Sequence, residues 1–139
     1  MAEFLEAHKK TAVYEGGYAN VSGDRGGETY KGIARNFWPQ WAGWAIVDKN
    51  KPLKHNQSIK DDQLESLVKQ FYKRNFWDKV EGDAIDDQDI AFKLYDLAVT
   101  SGIPRSIKHI QSVLGLPETG KIDKKTLDAI NNPSKYLAK

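Results

Sequence analysis

Tyr14-Glu15-Gly16-Gly17-Tyr18, followed by Gly23-Asp24-Arg25-Gly26-Gly27-Glu28-Thr29-Tyr30-Lys31-Gly32-Ile33, decides how this chain reads. Just upstream, Phe4, His8, Thr11, Ala12 and Glu15 fall on one side of a helix that advances about 100° per residue. Glu15 thus shares a face with apolar and small groups in the last helical turn, and Gly16-Gly17 stops the helix as glycine commonly does. Residues 16–29 read as a loop, with room for a small β-hairpin within residues 16–30. Glycine lets backbone approach a ligand closely or take positive φ. The stretch therefore sets one sheltered carboxylate beside an adaptable loop carrying Asp24, Glu28, Thr29 and two tyrosines.

Outward from this stretch, helical periodicity dominates. A short helix is expected over Tyr30 to Trp38, and another after Pro39, a residue suited to a first helical turn. Residues 48–57 are polar and read as a loop. Ser58 is expected to start a helix, with Asp61 three residues on in a variant of the capping box. Its apolar face is Leu64, Leu67, Val68 and Phe71, and Trp77 follows. Asp86 or Asp87 caps the next helix, whose stripe is Ile90, Leu94, Leu97 and Ala98. Gly102 ends it, and Pro104 opens a helix containing Ile107, Ile110 and Leu114. Gly115, Pro117 and Gly120 mark a turn, after which Asp123 caps a last short helix through Leu127 and Ile130. The fold class is mainly α, with no internal repeat.

Composition sets the outer bounds. The 139 residues suit one compact unit, read as a portion over 1–85 with a helical segment over 86–139 packed on it. With 40% hydrophobic and 11% aromatic residues a true core is possible, while a mean hydropathy of -0.64 gives a water-facing surface. No run approaches the roughly 18 apolar residues of a membrane span. Met1-Ala2-Glu3-Phe4-Leu5-Glu6 lacks the basic and apolar regions of a signal peptide, so synthesis in the cytoplasm is the expectation. The absence of cysteine excludes disulfides, zinc–thiolate sites and cysteine nucleophiles. His8, His55 and His109 show no metal spacing, and neither a metal nor an organic cofactor is expected. A net charge of +2 without a dense Lys/Arg stripe argues against nucleic acid, and is compatible with an anionic polymer such as a bacterial cell wall. Ser22 has no convincing His/Asp partners, and Gly23-Asp24-Arg25-Gly26-Gly27 lacks the Gly-Lys-Ser/Thr ending of a phosphate-binding loop.

Sheltered carboxylates in such a loop suit glycosidic bond cleavage. The leaving oxygen needs an acid that keeps its proton near neutral pH, whereas a free glutamate titrates at about 4.3. Partial burial raises that value because the charged form loses hydration, and the negative end of a helix acts in the same direction. Glu15 has this address. Asp24 or Glu28 can orient a water or steady developing positive charge, and Asp24 is equally suited to hold the loop as a turn residue. Thr29 can bond substrate or water, or cap the helix expected after it. Of Tyr18, Tyr30, Trp38, Trp41 and Trp44, one or two are expected at a groove and the others in the core.

These residues resemble a known pattern. Glu15-Gly16-Gly17-Tyr18, then Asp24-x-Gly26-Gly27-x-Thr29-x-x-Gly32-Ile33, is similar to the N-acetylmuramidases of glycoside hydrolase family 108, in the lysozyme-like superfamily. The resemblance implies a lysozyme-like helical fold and a catalytic set of Glu15 as acid with Asp24 and Thr29. Tyr18, Gly27, Glu28 and Tyr30 are then expected to bind substrate. The run Phe71 to Trp77 is similar to an aromatic run of such proteins, and Ala91 to Gly102, with Ile107 and Gln111, looks like their predicted peptidoglycan-binding segment. Two features depart from the pattern. Thr100 replaces an asparagine, and Glu118 to Asp123 only loosely matches the turn of peptidoglycan-binding repeats. The resemblance implies a monomeric hydrolase of peptidoglycan glycan strands, acting on the cell wall in the manner of an endolysin. A lytic transglycosylase and a non-catalytic wall-binding protein remain the alternatives.

Overall fold

The computed structural model describes residues 1–12, 16–20 and 27–134. The described residues form six α-helices and one small three-stranded antiparallel sheet. They gather into two compact units, one of Lys10–Phe71 and one of Met1–Lys9 with Tyr72–Lys139.

The Lys10–Phe71 unit is built on the sheet. Strand β1 (Tyr18–Asn20) pairs with β2 (Glu28–Tyr30), and β2 pairs with β3 (Ile33–Ala34). Residues 16–30, read mainly as a loop with room for a hairpin, thus hold a paired β1 and β2. The helix expected over Tyr30 to Trp38 does not form. Tyr30 and Ile33 face each other across a two-residue turn, in which Lys31 (φ 47°) and Gly32 (φ 82°) are both left-handed. That is the hairpin geometry whose twist matches the flanking strands, and it reverses the chain where a helix would have continued. The edge of β1 is covered, because Tyr18 N–H donates to Gln57 O and Asn56 N–H donates to Tyr18 O. Gly17 permits this close approach, since a Cβ there would collide with the Gln57 carbonyl oxygen.

After the Pro39 turn comes α2 (Gly43–Lys49), then the expected polar loop and α3 (Asp62–Tyr72). Asp61, not Ser58, caps α3: its Oδ1 accepts from Leu64 N–H at 2.9 Å. The core of this unit contains Tyr30, Ile33, Trp44, Val47, Ile59, Leu64, Val68 and Phe71. Trp38 meets Phe71 edge-on at 4.8 Å between centroids, and Trp41 meets Trp44 in the same manner at 5.4 Å.

The other unit packs the start of α1 (Phe4–Ala12) with α4 (Gln88–Ser101), α5 (Ile103–Val113) and α6 (Lys124–Asn131). The expected caps hold here. Asp87 accepts from Ile90 N–H, Asp123 accepts from Thr126 N–H, and Pro104 lies in the first turn of α5. The buried stripe of α4 is Ala91, Leu94, Tyr95 and Ala98, with Ile90 and Leu97 half-buried at its edges. An aromatic cluster forms the centre. Phe4, Trp77 and Tyr95 meet pairwise edge-on at 5.7–5.8 Å, and His8 stacks on Phe4 with its Nδ1 2.9 Å from the Tyr95 hydroxyl. Two amides imitate backbone pairing. Gln88 exchanges hydrogen bonds with the Glu3 peptide, and Asn131 bridges Asp86 N–H and Ala84 O.

Candidate active site

Glu15 and Asp24 lie outside the described residues. Their flanks, and the remaining candidates, are described.

The sheet register sorts those candidates onto two faces. Residues opposite each other across an antiparallel pair share a face, and neighbours along a strand alternate. Tyr18, Asn20, Glu28, Tyr30 and Ile33 therefore lie on one side, and Ala19, Thr29 and Ala34 on the other. Thr29 is half-buried and has an alanine directly opposite it in each neighbouring strand.

Glu28 faces the other way and is held firmly. Its carboxylate accepts from Tyr18 Oη at 2.6 Å and from Arg35 Nη1 at 2.8 Å, and it also pairs with Lys51 Nζ. Arg35 reaches on to Asp48 in a two-pronged contact at 2.7 and 2.8 Å, and Lys51 contacts the same Asp48 at 2.9 Å. The Arg35 guanidinium also lies over the Trp44 ring, 5.0 Å from its centre. Burial pushes the Glu28 carboxyl up, but bonds from Lys51, Tyr18 and Arg35 outweigh it and hold the group below the usual carboxylate range. Asp48 is held far lower by Arg35 and Lys51. Burial, and then the bond to Glu28, push the Tyr18 hydroxyl up. Glu28 thus stays ionised and paired, a group that orders the sheet and has no proton to deliver near neutral pH.

Tyr30 departs from its expected place at a groove. It is fully buried, and its hydroxyl accepts from Ile59 N–H at 3.0 Å, tying β2 to the segment before α3. Tyr18 is also buried, with its hydroxyl committed to Glu28. Gly27 takes φ +66°, and a Cβ there would stand 2.7 Å from Asn36 Nδ2, so only glycine enters β2 at this angle without displacing Asn36. Among the described residues, Phe37 and Trp38 are the large exposed aromatics of this unit. In sequence, Asp48 and Lys51 pass for plain loop residues, and neither Arg35 nor Asn36 stands out. Their roles arise from pairing across segments, for which the chain carries no local signal. Among the described residues, no cluster of His, Cys, Asp or Glu is arranged to hold a metal ion. None of the described helices is long and apolar enough to cross a membrane.

A mainly helical chain with a small three-stranded antiparallel sheet has a lysozyme-like fold. Residues 8–102 match the family described as Glycosyl hydrolase 108. This chain belongs to that family and is a glycoside hydrolase. Ten chains of known structure match it. They include one titled "Structure of Brucella abortus SagA", with TM-score 0.63 and 28% identity over 93% of this chain and 68% of that one. No curated protein matches the sequence.

Proposed function

We propose that this chain is an N-acetylmuramidase of peptidoglycan, hydrolysing the β-1,4 bond between N-acetylmuramic acid and N-acetylglucosamine. The observation that carries the reading is the family match, whose span includes the whole Glu15–Asp24–Thr29 stretch. Glu15 acts as general acid, protonating the leaving oxygen. Asp24 positions water or steadies the positive charge that builds at the sugar, and Thr29 assists from β2. Tyr18, Gly27 and Glu28 serve substrate binding by fixing the strand that carries Thr29, and Tyr30 supports the same strand from the core. The helical segment over 86–139 contributes affinity for the wall, and the chain works as a monomer outside the cytoplasm.

The decisive experiment digests purified peptidoglycan and analyses the new chain ends by mass spectrometry. Reducing ends are expected, whereas 1,6-anhydro ends would assign the chain to the transglycosylases. Glu15→Gln should fold and lose about a hundredfold or more in rate, the usual contribution of a placed general acid. Parental activity in that variant would remove the assignment.

A further inference from the structure

Beyond the matched residues, α5 presents a stripe of polar side chains on its exposed side. Arg105, Lys108, His109 and Ser112 recur at steps of three, one and three residues, which keeps them on one helical face. With Pro104 and Glu118 they line a groove of about 520 Å³. That volume falls within the range of ligand clefts, about 300–1,000 Å³.

The opposite wall is built rather than incidental. Gln111, one per cent exposed, faces the other way from the stripe. Its Nε2 reaches Thr119 Oγ1 and Thr126 Oγ1 at 3.0 Å and Lys121 O at 3.1 Å, and its Oε1 accepts from Gly120 N–H. These bonds sew the turn bearing Glu118 onto α5. Gly120, at φ +77°, lies close under the Lys108 side chain, where a Cβ would stand 3.3 Å from Lys108 Cε.

The charges in this groove are uncommitted. Among the described residues, the side chains of Arg105, Lys108, His109, Ser112 and Glu118 make no hydrogen bond or ion pair with one another or with the rest of the unit. Two cations on the helix stand across from one carboxylate on the turn. A neutral sugar strand gains little from such an arrangement, and a simple polyanion would be opposed by Glu118. A ligand carrying both free carboxylates and a free amine matches both walls.

The geometry points to a binding site for a short zwitterionic peptide of the kind that branches from cell-wall glycan. Arg105 and Lys108 take its carboxylates and Glu118 takes its amine. The inference rests on the peptidoglycan reading above and adds to it a second, peptide-reading site on α5.

The test is isothermal titration of the full chain with a synthetic stem tetrapeptide containing diaminopimelate, with chitotetraose as the uncharged comparison. Peptide affinity should fall as salt is raised. It should also fall about tenfold or more in R105A/K108A, with chitotetraose binding unchanged. Acetylating both peptide amines, the N-terminal one and that of the diaminopimelate side chain, should weaken binding to the parent and make no further difference to Glu118→Gln. Parental peptide affinity in R105A/K108A with an unchanged circular dichroism spectrum, or no peptide binding by the parent, overturns the site. A parent that digests peptidoglycan without binding the tetrapeptide removes this inference and leaves the muramidase. One that binds it without digesting walls removes the muramidase and leaves the site.

Discussion

The charges around Glu28 and those along α5 belong to the same residue types and are used in opposite ways. In the sheet unit, Glu28 and Asp48 are each shared by Arg35 and Lys51, so a carboxylate only 11% exposed is fully matched. On α5, Arg105 and Lys108 face the carboxylate of Glu118 across a groove and touch none. Removing a charge from water is costly unless it is paired, so the half-buried group recruits partners and holds backbone in place. A charge left in water has no such requirement and is available to a ligand. The first arrangement gives order, and the second gives affinity.

That contrast can be broken from its costly end. Glu28→Ala strips one of two carboxylate partners from Arg35 and Lys51 and the acceptor from the Tyr18 hydroxyl, and should cost about 3 kcal/mol, as expected for losing charged hydrogen bonds from a partly buried site. Urea unfolding measures it, and a cost below about 0.5 kcal/mol would mean that the cluster orders nothing. Acid tests the same cluster without mutation. Glu28 and Asp48 titrate lower in the folded chain than unfolded, so their contribution is complete above the ordinary carboxylate range near about 4 and is lost as pH falls through the depressed folded values. Thermal stability should therefore decline below about pH 4, and the decline should be shallower in Glu28→Ala.

Gln111→Ala should cost about 2 kcal/mol, because it leaves the partners of a buried amide unmatched. It should also weaken the peptide titration, since the Glu118 wall loses its anchor. Tyr30→Phe should cost about 1 kcal/mol by orphaning the buried Ile59 N–H. At the small end, Arg105→Ala should change stability by less than about 0.5 kcal/mol, as is usual for an exposed side chain without partners. A larger loss there would show that α5 is holding structure after all.

Much of the helical part was legible from local signals. Asp87 and Asp123 each precede an apolar period and accept from the third residue on, so the start of α4 and α6 follows from a few neighbouring positions. Ser58 misled because Asp61, also a good cap, stands closer to the periodic run. Residues 30–38 misled because β3 is two residues long, too short for strand alternation to show against helical spacing. The turn that decides the matter, Lys31-Gly32, has a lysine in a left-handed conformation that few sequences announce. At the candidate site, the pattern from Glu15 to Thr29 was readable as a family motif, and the family match covers it. The commitment of Glu28 and the burial of Tyr30 were not, because both depend on segments distant along the chain.

Unaided, the order of residues established a mainly helical fold, the caps of its helices, and the family to which the chain belongs. Such features rest on contacts within a turn or two of chain, where neighbours in sequence are neighbours in space. Which face of the sheet holds Thr29, which carboxylate is neutralised, and which basic residues stay uncommitted were decided only by the tertiary structure. Those outcomes depend on burial and on ion pairs between remote segments, and neither exists until the chain has closed on itself.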